Sequence, residues 1–87
     1  MAAYSVEIRR SAARELERVE PRAQRQRLVA RIRALVEEPT PPGSQKLAGS
    51  RSAWRIRQGD YRVVYEIVEA ERRIVIVKIG HRREVYR

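Results

Sequence analysis

Three arginines stand close together in the stretch Trp54-Arg55-Ile56-Arg57-Gln58-Gly59-Asp60-Tyr61-Arg62-Val63-Val64-Tyr65-Glu66-Ile67. Trp54 and Ile56 alternate with Arg55 and Arg57, the period-2 pattern of a half-buried strand. Gln58-Gly59-Asp60 forms a turn around the residue that takes positive φ most cheaply. Tyr61 to Val68, dense in aromatic and β-branched residues, reads as the second strand of a hairpin. If Trp54 and Ile56 face a core, Arg55 and Arg57 point away from it together. Arg62, just past the turn, can join them across the hairpin. Three guanidiniums on one face make either a place to hold phosphate or a solvated edge. By periodicity alone, Arg55 and Arg57 are simply the solvent face of a strand.

The chain has 87 residues, enough for one domain spanning residues 1–87. A chain of this size buries only about two-thirds of its unfolded surface. Its formal net charge is +9, with 18 Arg and 2 Lys against 11 acidic residues. Such a surface attracts polyanions: nucleic acid, an acidic protein or an anionic membrane. The excess of arginine over lysine suits bidentate phosphate recognition, and follows equally well from codon usage. There is no cysteine, so disulfides and thiolate metal sites are excluded, which fits a reducing cytoplasm. Met1-Ala2-Ala3-Tyr4 opens no apolar core, so no signal peptide is expected. The longest apolar run, Ile74 to Val77, is too short to span a bilayer.

The elements that must position the arginines follow from the rest of the chain. Tyr4, Val6 and Ile8 alternate with polar residues, giving a first strand over residues 3–9. Ser11 is placed to cap a helix. Ala12, Leu16 and Val19 share one face of that helix. Glu20-Pro21 interrupts it, and a second helix is expected over Arg22 to Glu37. Its apolar stripe is Leu28, Val29, Ile32, Leu35 and Val36, and its solvated face carries Arg22, Arg25, Arg27, Arg31 and Arg33. Pro39 to Ser44 makes a stiff loop. Arg72-Arg73 marks a turn, and Ile74 to Ile79 reads as a well-covered central strand. The expected class is α+β in the order β-α-α-β-β-β, with two N-terminal helices packed on a small antiparallel sheet.

Two motifs, Gly59-Asp60-Tyr61-Arg62-Val63-Val64-Tyr65 and Gly80-His81-Arg82-Arg83-Glu84-Val85-Tyr86, now stand beside a strand-helix-helix start that carries Ser11-Ala12-Ala13-Arg14-Glu15-Leu16. In combination they resemble the RelE-type toxins of the RelE/ParE superfamily, over nearly the whole chain. The resemblance implies a ribosome-dependent mRNA endoribonuclease that cuts in the A site. It implies an acidic cognate antitoxin, and as further partners mRNA and the ribosome. No membrane, metal or small-molecule cofactor is implied. Carried over residue by residue, it implies site roles for Arg55 and Arg57 on the strand before the turn, Arg62, Arg82 and Tyr86. Where the family's best-studied pattern has lysines, this chain has Arg55 and Arg57.

Such an enzyme uses the RNA's own 2′-hydroxyl as nucleophile on the adjacent phosphate. The 2′-OH proton must be removed, charge on the phosphoryl oxygens offset, and the departing 5′-oxygen protonated. Arg55, Arg57, Arg62 and Arg82 suit the second task, commonly the largest single contribution to catalysis. Arginine holds its proton too tightly to act as a general base. His81 is the single histidine, and an ordinary histidine pKa of about 6.5 suits proton transfer. Tyr86 can donate a proton or stack on a base. Proton transfer therefore rests with His81 or Tyr86.

Two other functions fit a basic domain of this pattern. One is a ParE-like toxin that poisons DNA gyrase by binding, against which the intact segment Gly80 to Tyr86 speaks. The other is a non-catalytic nucleic-acid-binding module, whose affinity would fall steeply with salt while RNA stayed whole. With a +9 chain, association with an acidic antitoxin is expected to slow as ionic strength rises. Stopped-flow mixing at low and high salt measures this, and a salt-independent rate contradicts the electrostatic account.

Overall fold

The computed structural model of the chain describes residues 3–82. Strand β1 (Ser5–Ile8) leads into helices α1 (Arg10–Glu17) and α2 (Arg22–Ala34), followed by β2 (Gln45–Lys46), β3 (Ala53–Gln58), β4 (Tyr61–Val68) and β5 (Arg73–His81). The sheet order is β1-β5-β4-β3-β2. The α+β class and the helix pair are as the sequence implies. Two features differ. β1 runs parallel to β5, so the sheet is mixed rather than antiparallel. Tight turns force neighbours antiparallel, but β1 reaches β5 through the whole intervening chain and is free of that constraint. The added β2 is two polar residues hydrogen-bonded to β3, too short to show periodicity.

Both helices cover one face of the sheet. Ala12, Val19, Leu28, Ile32 and Leu35 meet Ile56, Val63, Tyr65, Ile67, Ile74, Ile76 and Ile79 in a core whose members are at most 7% exposed. Trp54 and Tyr61 pack half-buried against it. Helix α1 begins one residue before Ser11 and its N-cap is Arg9, with no side-chain cap bond. The Arg9 N–H donates to Ile76 O at 3.1 Å, so the chain leaves the sheet and enters the helix within a single residue. Helix α2 ends at Ala34, before the expected Glu37.

Strand β5 contains a bulge. Tyr65 pairs with Ile76 but Val64 pairs with Lys78, which leaves Val77 as the extra residue. A bulge shifts the alternation by one. Ile79 consequently joins Ile74 and Ile76 on the helix side, with His81 after it. Among the described residues, no helix is long and apolar enough to cross a membrane.

The Tyr65 hydroxyl, on a fully buried ring, donates to Pro39 O at 2.7 Å and ties the loop after α2 to the sheet. Burial pushes its pKa up from 10.0 to about 12. Between those values the folded chain keeps the proton while the unfolded chain releases it. The stabilisation is therefore complete below about pH 10 and is lost as pH rises towards about 12. Tyr65→Phe is expected to cost about 1 kcal/mol at neutral pH and to remove most of this alkaline loss, as read by urea denaturation across that window.

Candidate nucleic-acid interface

The hairpin register decides which arginines meet. Arg57 on β3 pairs with Arg62 on β4, and Arg62 pairs with Gly80 on β5. Tyr61, Val63 and Tyr65 of β4 pack into the core on the helix side, so Arg62 and its neighbours in this row lie on the opposite face. Arg55 shares that face two residues along β3, and its Nη2 donates to Oε1 of Gln45, its partner on β2. The expectation that Arg55, Arg57 and Arg62 gather on one side is met.

Gly59 takes φ +61° at the first turn position, as a two-residue hairpin turn with glycine there requires. Helix α2 braces this turn. Gln24 Nε2 donates to Gln58 O at 2.8 Å, and a Cβ added at Gly59 would lie 2.9 Å from the same nitrogen. Glycine is thus needed both for the backbone conformation and for the close approach of Gln24. Beyond β5, the Arg82 N–H donates to Asp60 O at 2.8 Å, which ties the start of the last segment to the hairpin turn.

Arg57 and Arg62 differ in surroundings. Arg57 is exposed, whereas Arg62 is 9% exposed. The Arg62 Nη1 reaches Tyr61 O only at 3.5 Å, and its buried Nε has no hydrogen-bond partner among the described residues. Directly opposed like charges destabilise a strand pair, and an anion seated between the two guanidiniums would relieve both the repulsion and the missing hydrogen bond. Carboxylates are distributed to leave this possible. Arg73, at the far end of β5, pairs with Glu7 and Glu71, Arg9 pairs with Glu66, and Lys78 pairs with Glu15. Among the described residues, Arg57, Arg62 and Arg82 make no ion pair.

His81 is not in the arginine row. It pairs with Tyr61, and the two rings meet edge to face at 5.8 Å and 77°. Both line a cleft of about 250 Å³ beside Glu15 and Arg18 of the α1 region, on the helix side of the sheet. The bulge puts it there. Tyr86, the other candidate for proton transfer, lies outside the described residues. Two braces, Gln24 on the hairpin turn and Glu15 on β5, carried no sign of these roles in the sequence, since a lone glutamine or glutamate on a helix shows nothing of the strand it touches.

Burying a guanidinium without full hydrogen bonding is costly. Arg62→Met should therefore stabilise the free chain by about 1–2 kcal/mol while removing anion binding at the row. Thermal melts, paired with titration of a short single-stranded RNA, test both halves.

A family model described as the ParE toxin of type II toxin-antitoxin system, parDE, matches residues 6–86. The chain is 32% identical over 87 residues to toxin RelG of Mycobacterium tuberculosis, covering 97% of each. It is similar to a chain in the crystal structure of the archaeal RelE–RelB complex from Pyrococcus horikoshii OT3, with 30% identity, a TM-score of 0.82, and 98% of this chain and 100% of that one covered. It shares its fold with the isolated E. coli RelE toxin at 21% identity and a TM-score of 0.80, over 91% of this chain and 84% of that one.

Proposed function

The chain belongs to the RelE/ParE superfamily of toxins of type II toxin–antitoxin systems, and from that membership we propose that it is a ribosome-dependent mRNA endoribonuclease, restrained by an acidic cognate antitoxin. It cleaves mRNA in the A site by attack of a 2′-hydroxyl on the adjacent phosphate. The observation that carries this reading is the row Arg57–Arg62–Gly80, in which two arginines stand opposite one another on neighbouring strands with no carboxylate paired to them among the described residues.

In this reading the scissile phosphate sits over the row. Arg57 and Arg62 donate to its non-bridging oxygens, and Gly80, having no side chain, leaves the adjacent strand open to the RNA backbone. Arg82 adds charge at the edge of the row, and Arg55, held by Gln45, orients the neighbouring nucleotide. As the 2′-oxygen bonds to phosphorus, the 5′-oxygen leaves, giving a 2′,3′-cyclic phosphate and a free 5′-hydroxyl. The guanidiniums offset the charge that builds on the phosphoryl oxygens during this step. Of the two candidates for moving protons, His81 stands on the helix side against Tyr61. Its placement favours Tyr86 for that task.

Single-turnover cleavage of mRNA on ribosomes is the test, run beside a gyrase supercoiling assay. Arg62→Ala and Arg82→Ala should each slow cleavage by roughly 10²–10³-fold, and Arg62→Lys should recover only part of the rate, since an ammonium cannot reproduce a two-pronged guanidinium–phosphate contact. Tyr86→Phe should collapse the rate while His81→Gln leaves most of it. The reverse pattern returns proton transfer to the histidine. Inhibited supercoiling with intact mRNA would replace the ribonuclease by a gyrase poison.

A further inference from the structure

Beyond Ile76 the strand β5 has no strand partner on its outer side among the described residues. The ladder with β1 ends at Ile8–Ile76, and the chain then turns into α1. The stretch from Val77 to His81, which carries Gly80 into the arginine row and leads to Arg82, therefore runs along an open sheet edge. Edges of this kind fray or pair elsewhere unless something covers them. Here a helix side chain does so. Glu15 of α1 accepts from the Ile79 backbone N–H at 2.8 Å with one oxygen and from Lys78 Nζ at 3.1 Å with the other. The bulge at Val77 sets Lys78 opposite Val64 and Ile79 opposite Val63, so that the Ile79 N–H and the Lys78 ammonium both reach the one carboxylate. The contact borders the 250 Å³ cleft, which Glu15, Lys78, Ile79 and Gly80 help to line.

We propose that Glu15 is a positioning residue of the cleavage site: its carboxylate stands in for the missing β1 backbone and fixes the end of β5, so that Gly80 and Arg82 keep register with Arg57 and Arg62. This rests on the ribonuclease reading for its consequence in catalysis, though not for its effect on the strand. A charge-assisted bond from a backbone N–H to a carboxylate is stronger than a neutral one. It also fixes two successive residues through both oxygens, which a contact through a single atom cannot do. Displacement of a phosphate-binding group by about 1 Å is enough to lower a rate by about 10²-fold.

The experiment compares wild type, Glu15→Ala, Glu15→Gln and Lys78→Met. Amide hydrogen exchange and single-turnover cleavage of mRNA on ribosomes are measured on the same preparations. Glu15→Ala should speed exchange at Ile79, His81 and Arg82 by at least about tenfold while Val63 and Tyr65 keep their protection. Its cleavage rate at saturating ribosomes should fall roughly 10²-fold, with the ribosome concentration for half-maximal rate unchanged. Glu15→Gln retains an acceptor for the Ile79 N–H and should restore most of both, and Lys78→Met should fall between. Unchanged exchange at Ile79 in Glu15→Ala overturns the proposal, as does altered exchange with a wild-type cleavage rate. A uniform loss of protection, including Val63 and Tyr65, also overturns it, since Glu15 would then be supporting the whole fold. If wild type itself leaves mRNA whole, the ribonuclease reading fails, and with it the catalytic half of the proposal. The exchange data then still decide whether Glu15 holds the strand.

Discussion

Two arginines placed opposite each other across a hairpin repel one another, and the structure must hold them there. Arg57 and Arg62 are paired by the β3–β4 register, and a strand pair gains nothing from like charges so arranged. What keeps the register is on the other face. Ile56, Val63 and Tyr65 are fully buried beneath α1 and α2, and a slip of one residue would carry every one of them into water. The hydrophobic core thus sets the charge row, because a strand has only two faces and the apolar one is committed.

The helices add polar bonds to this packing. Gln24 holds the turn between the two arginines, and Glu15 holds the strand that continues the row. Each contact comes from a helix to backbone rather than to an arginine side chain. Among the described residues, the Arg62 guanidinium has only a weak hydrogen bond, to Tyr61 O. This division leaves the placing of the arginines to the backbone.

Much of the site could be read from alternation and turn chemistry. The hairpin, its glycine turn and the shared face of Arg55, Arg57 and Arg62 follow from period-2 patterning, which the structure reproduces residue by residue. The limits of that reading have specific causes. Alternation is the same whichever way a neighbour runs, so the parallel β1–β5 pair was illegible. Ser11 looks like a cap, but the one-residue link at Arg9 starts the helix before it. The face of His81 was hidden for a subtler reason. Counting by twos from Ile74 and Ile76 assigns it to the face of the arginines, and the single extra residue Val77 reverses that assignment.

The parallel pairing of β1 with β5 also bears on the order of assembly during synthesis. β1 is the first strand made and β5 the last of the five, yet β5 lies between β1 and β4. No local hairpin can stand in for it, and contacts so distant in sequence form late. A growing chain can build the α-helices and the β3–β4 hairpin, but Gly80 and Arg82 join the row only when the final strand has been translated. The nascent polypeptide therefore stays without the complete Arg57–Arg62–Gly80 row through most of its elongation.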